Sequence, residues 1–152
     1  MSLSQFGLAA RVGAWLSVLP IVLRTRTLRL LLEQLAAAAE RPRSGNPLDL
    51  NEAVQVVVRV CRMRIFRLPV FPRPCLRRAL ALYYFLGGMG YPIEIHFGVR
   101  KDGRDLHGHS WVTLQGKALR ERNPAEAFST IYSYGSVSYR SALRETVKAQ
   151  TT

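Results

Sequence analysis

The chain has 152 residues, 48% of them hydrophobic and 21% charged. That suits one globular domain with an adequate core and argues against wholesale disorder. Its 22 Lys plus Arg against 10 Asp plus Glu give a net charge of +12, so an anionic partner is expected: nucleic acid, an acidic peptide or a membrane surface.

The arginines are scattered, with no basic run of five or more and no zinc-finger or RNA-recognition signature, which argues against nucleic acid. From Phe6 to Leu23 the chain is largely apolar, interrupted by Arg11 and Pro20. A signal peptide would carry its positive charge before such a stretch, whereas Arg24 and Arg26 follow it. The length barely suffices for a bilayer, so a buried or interfacial helix is read here, able to touch a membrane surface.

Residues 5 to 40 read as two helices. The first carries Phe6, Leu8, Val12, Trp15, Leu16 and Leu19, and the second runs from about Leu23 through Ala39 with Leu28, Leu31, Leu32 and Leu35. Pro20 is expected to mark the break between them. Glu40 to Leu48 is a loop by its Pro, Ser, Gly and Asn content. Asp49 with Glu52 then resembles a capping box opening a third helix, whose buried face would be Leu50, Ala53, Val54, Val57, Val58, Cys61 and Ile65. Its valines also suit a strand.

After the Pro-rich turn Leu68 to Pro74, a fourth helix is expected from about Cys75 to Leu86, ended by Gly87, Gly88 and Gly90. Ile93, Ile95, Phe97 and Val99 alternate with Glu94, His96 and Gly98, a strand with one buried face. Asp102-Gly103 signals a turn within a polar loop from Arg100 to Leu106. A second strand runs from about His107 to Leu114, and Gln115-Gly116-Lys117 turns it into a third. Beyond Pro124 the pattern suggests a short helix to Phe128, an edge strand from Tyr132 to Tyr139 and frayed last residues. Helices first and an antiparallel meander after them make an α+β domain. Residues 1–48 would form an N-terminal helical region and 49–152 the core, one structural domain overall.

The two cysteines are Cys61 and Cys75. They are too few for a disulfide framework and lack zinc spacing, so a free thiol in a reducing cytosol is expected. The thiolate is the nucleophilic form, and helix N-termini favour it through unpaired N–H groups and the helix dipole. Cys75 has that address, with Pro74 suited to the first turn and Arg77 and Arg78 adding charge. Cys61 sits mid-helix and reads as a buried hydrophobe. A base should be an imidazole on a rigid element, and His109 lies on the strand His107-Gly108-His109-Ser110-Trp111-Val112. Trp111 projects from the same strand face and would shield it from water. His107 and His109 share a face as a two-histidine metal pair would, but no carboxylate or thiol completes the set. His96 reads as a solvated strand histidine.

Cys75-Leu76-Arg77-Arg78-Ala79-Leu80-Ala81-Leu82, then Gly98-Val99-Arg100, then His109-Ser110-Trp111-Val112 resemble the transglutaminase-like domain of lasso-peptide leader peptidases. The likeness is good over residues 50 to 122 and helical in character only over 10 to 40. Ala79 stands where that family usually has Ser, and Ser110 where it usually has Ala. The resemblance implies a papain-like Cys-His-Asp/Asn hydrolase that removes the leader from a ribosomally made precursor, without cofactor or metal. It also implies that the family's acid after the hairpin falls on Glu121.

Hairpin geometry gives a separate expectation. With Gln115-Gly116-Lys117 as a three-residue turn, Trp111 faces Glu121 and His109 faces Asn123, so both Glu121 and Asn123 lie on the imidazole's face. A two-residue turn would put both on the wrong side. Both stay candidates, with Glu121 slightly favoured. The Cys75 backbone N–H is the natural first oxyanion donor.

A same-fold amidase or acyltransferase, or an inactive peptide-binding module, are the alternative functions. Some leader peptidases carry a fused winged-helix recognition domain, for which the helical residues before Asp49 leave no room. The expected partners are therefore the precursor's leader, a separate recognition protein and the lasso cyclase, in the cytoplasm.

Overall fold

Leucine and valine at three- and four-residue spacing build the helical half of the molecule. The structure, a computed structural model, describes residues 2–39, 48–122 and 124–151. Most of the loop expected at Glu40 to Leu48, and Asn123, lie outside the described residues.

Helix α1 (Leu3–Thr25) opens on a capping box. The Ser2 hydroxyl accepts from the Gln5 N–H at 3.3 Å, and the Gln5 side chain accepts from the Ser2 N–H at 3.1 Å. Pro20 lies inside this helix and does not end it, contrary to expectation. Proline removes one i→i−4 bond, but Pro20 is packed in the interior. The Thr25 hydroxyl bonds to the Ile21 and Val22 carbonyls, and the Ser17 hydroxyl to the Gly13 carbonyl. The break comes later, where Arg26 turns extended and α2 (Leu28–Ala39) begins.

Helix α3 (Leu50–Cys61) is capped by Asp49, whose carboxylate accepts from the Glu52 N–H at 2.7 Å. It stops at Cys61, so Ile65, expected on its buried face, lies beyond it in a 3-10 turn (Arg64–Arg67) and is exposed. Helix α4 (Pro74–Gly88) is the central element: Ala79 to Tyr83, Phe85 and Leu86 are all buried. Leu8, Val12, Leu16 and Leu19 of α1 and Leu31, Leu32 and Leu35 of α2 share its core cluster with the α3 valines.

Four strands make one antiparallel sheet, β1 (Ile93–Asp102), β2 (Asp105–Leu114), β3 (Lys117–Ala118) and β4 (Ser129–Gly135), in the order β3-β2-β1-β4. The polar loop expected between β1 and β2 is strand almost to its tip. Asp102 pairs with Asp105 around Gly103-Arg104, and Gly103 takes the positive φ of 61° that the turn requires. The second hairpin also has a two-residue turn: Leu114 pairs with Lys117 and Thr113 with Ala118. Gln115 and Gly116 have φ of 51° and 78°, both positive as a type I′ turn needs. The three-residue register is thereby corrected. In β4, Tyr132 faces Phe97 while Thr130 faces Gly98, leaving Ile131 as a bulge.

A short 3-10 turn (Pro124–Glu126) precedes β4. The strand expected from Tyr132 to Tyr139 is centred earlier, and the tail expected to fray forms α5 (Val137–Thr151). The side chain of Ser136, just before it, accepts from the Ile93 N–H at 3.1 Å and ties that helix start to the sheet.

Candidate active site

The start of α4 is fixed from two sides. Arg73 precedes it, Pro74 fills the first helical position and Cys75 follows, half-buried and unpaired with Cys61. A first turn leaves backbone N–H groups without helical partners, so the thiol stands where negative charge is favoured. Arg77, expected to add charge beside the thiol, has its guanidinium engaged elsewhere. It is 3% exposed and reaches back to the carbonyls of Cys61 at 2.9 Å, Pro72 at 3.4 Å and Phe66. Burial lowers its pKa and leaves its Nε without a partner. It staples the end of α3 and the Pro-rich turn to the helix that carries Cys75. Cys61 is buried, and desolvation pushes its thiol up to about 11, which suits an inert core residue.

His109 comes from β2 opposite Gly98 of β1. Its ring packs on Trp111 at 5.9 Å and on Phe128 at 5.0 Å between centroids. Trp111 lies across Gly98 so closely that a Cβ there would meet the indole at 2.8 Å and Phe128 at 3.0 Å. Glycine in the strand lets the aromatic layer settle onto the backbone. Trp111 also stacks on His96, 5.3 Å away and 16° from parallel. His96 is not the solvated residue expected. Its two ring nitrogens meet the hydroxyls of Ser133 and Thr113, each at 2.8 Å. Desolvation lowers its pKa, against a weaker upward pull from Glu94 at 3.6 Å.

Glu121 reaches His109 although the turn has the parity that should have turned it away. The ladder ends after Ala118, and Leu119 makes one more backbone bond, to Val112 at 3.0 Å. Arg120 then takes φ of 62°, a left-handed step that turns the chain back. The Glu121 Oε2 accepts from the His109 Nε2 at 2.7 Å, and its Oε1 accepts from the Arg78 guanidinium at 2.7 Å. Arg78 stands one helical turn beyond Cys75 on α4. Because a carboxylate only accepts, the imidazole proton is assigned to Nε2, which leaves Nδ1 as the nitrogen for a thiol. The register that would have set Asn123 opposite His109 is not the one formed, and that residue lies outside the described ones.

Cys75 and His109 line one cleft of about 490 Å³, together with Gly98, Gly108 and Ser110. No hydrogen bond joins the thiol to the imidazole among the described residues; such contacts commonly tighten only when substrate binds. His107 is exposed and outside that cleft. Among the described residues no three His, Cys, Asp or Glu side chains gather as a metal site would require.

The family model described as the transglutaminase-like superfamily matches residues 15–133, more than half of the chain. The chain belongs to that superfamily. No curated protein and no solved structure gives a significant match. The superfamily includes cysteine peptidases and acyltransferases. The transglutaminase-like match spans Cys75, His109 and Glu121 and stops before α5.

For a transglutaminase-like domain this site has the parts of acyl transfer: a thiol at a helix start, an imidazole in the same cleft and a carboxylate behind the imidazole. Arg78, Gly98, His96 and Phe128 were not singled out for the roles they have here. Two of them carry a sequence signal: Arg78 lies three residues after Cys75 on one helix face, and an interior strand glycine marks close approach.

Proposed function

We propose that this chain is a cysteine peptidase that removes the leader from a ribosomally synthesised precursor during lasso peptide maturation. Cys75 is its nucleophile, His109 its base and Glu121 the orienting residue. The observation that carries the reading is the relay Arg78–Glu121–His109 beside the cleft that Cys75 lines from the first turn of α4. The likeness of the Cys75, Gly98 and His109 segments to leader peptidases supplies the substrate class.

In the reaction the Cys75 thiol yields its proton to His109 Nδ1 and the thiolate attacks the scissile carbonyl carbon. The oxyanion meets the Cys75 backbone N–H. The C–N bond breaks as the imidazolium protonates the leaving amine, leaving a thioester. Water, deprotonated by His109, attacks that thioester and releases the acid with the thiol restored. Glu121 holds the imidazole's orientation and stabilises its cationic form throughout. An amidase or acyltransferase would share the thioester and differ in the bond broken or the acceptor. Asn123 is kept as the second candidate orienter.

The proposed partners are the leader segment, a separate recognition protein that tethers it and raises its effective concentration, and the lasso cyclase, all in the cytoplasm. The test is to incubate the chain with precursor and recognition protein and read product masses. Two fragments summing to precursor plus water are expected with the wild-type chain and with Cys61→Ala, and none with Cys75→Ala. Turnover retained by Cys75→Ala would overturn the mechanism, and an amine adduct in place of the acid would identify an acyltransferase.

A further inference from the structure

The cleft beside Cys75 has apolar walls and cationic exits. Leu28 of α2, Leu76 of α4, Phe97 and Val99 of β1, and Ile131 and Tyr132 of β4 surround about 490 Å³, within the usual size of a site that encloses a ligand group. Ile131 is the bulged residue of β4 and is 66% exposed. A bulge re-aims a side chain, and this one lines the cleft instead of covering core. The charged lining residues are Arg29 and Arg73. Arg73 is exposed immediately before Pro74 and Cys75, and it has no ion pair among the described residues. Arg29 pairs with Glu33 at 3.1 Å, with 80% of its side chain exposed, an arrangement weak enough to be exchanged for a ligand carboxylate.

We propose that this cleft seats a bulky apolar side chain, leucine or aromatic, next to the scissile bond, and that Arg73 and Arg29 bind an acidic residue of the same peptide. The occupant is the extended substrate, because the cleft is continuous with Cys75 and His109 and its charge complements an acidic chain. The inference rests on the peptidase reading and adds the substrate's side chains to it. A small or hydroxylated residue would leave the apolar walls unfilled. A basic neighbour would meet two guanidinium groups and the chain's net charge of +12.

Short dye-labelled peptides differing at two adjacent positions, titrated into Cys75→Ala by fluorescence anisotropy, test this without turnover. Leu or Phe should bind at least roughly tenfold tighter than Gly at the first position. At low salt, Glu should bind on the order of tenfold tighter than Lys at the second, and the difference should shrink as salt is added. Arg73→Glu should reverse the second preference and keep the first, while Val99→Trp should fill the cleft and erase the first. Equal binding of the Leu and Gly peptides overturns the proposal. Cleavage by the wild-type chain separates the two readings. Cys75-dependent cleavage without side-chain preference would sink the pocket alone. The stated preferences without cleavage of the precursor in the presence of its recognition protein would keep the pocket and sink the peptidase.

Discussion

Glu121 has both carboxylate oxygens engaged, one by His109 and one by Arg78, and Arg78 shares its helix with the thiol. Glu121→Gln would offer the imidazole an amide in place of a charge. A loss in kcat of roughly 10²–10⁴ is expected, with leader affinity little changed. Arg78→Leu should lose about tenfold by freeing the carboxylate, and Arg78→Lys should recover part of it; single-turnover cleavage of the precursor reads all three. Near-wild-type rates in Glu121→Gln would make the residue a surface carboxylate, worth under about 1 kcal/mol.

His96 adds a pH dependence of a known sign. Its folded pKa lies below its ordinary value because burial between the Ser133 and Thr113 hydroxyls and Trp111 disfavours charge. The unfolded chain therefore takes up the proton first, and stability falls as pH drops below about 6.5 until the folded group titrates too. Urea midpoints across that range should fall less steeply in His96→Gln than in the wild type. The place of His109 on its strand beside Trp111 was legible because strand alternation is local. The His96 environment was not, since its partners come from two other strands.

At the scale of elements, the position of Cys75 depends on how α4 is held. Arg77 binds the carbonyls left over at the end of α3 and in the Pro-rich turn, groups that otherwise lack partners. Arg77→Met should lower stability by about 3 kcal/mol, read as a shift in denaturation midpoint, and reduce activity only in proportion to the unfolded fraction. Gly98→Ala should do the opposite. A methyl pressing on the Trp111 ring should shift its fluorescence and lower kcat with a smaller loss of stability, about 1–3 kcal/mol.

Helices α1 to α4 and most of β1 and β2 were legible from their periods; α5, expected to fray, was not. Pro20 misled because its burial in the core lets the helix continue across the one missing bond. The second turn misled because Gln115 and Arg120 adopt positive φ, which neither residue type announces. The two departures also offset each other: the short turn flips parity, and the left-handed step at Arg120 restores Glu121 to the imidazole.

For the whole molecule, α1 is the exposed element with the largest consequence. It is long and apolar enough to cross a bilayer, with a mean hydropathy of 1.8. Its inner face joins the core while Leu3, Phe6, Val18 and Ile21 face outward. Arg11 is drawn over the Phe85 ring, 5.9 Å away. Contact with an anionic membrane surface is the proposal this favours. The chain should sediment with vesicles containing phosphatidylserine, and Phe6→Ser with Ile21→Ser should release it at unchanged thermal stability. Equal partition of both forms would count against it.

The β1–β2 hairpin has a further consequence for how this chain can diversify. Its tip at Gly103-Arg104 closes two strands that remain paired back to Ile93 and Leu114. Extra residues there would lengthen an overhang without altering any register below it. One residue added at Gln115-Gly116 would reset the path to Glu121. Descendants of this sequence can therefore vary in length at the first turn while the second stays fixed, and a library of insertions at the two turns should separate cleanly into active and inactive halves.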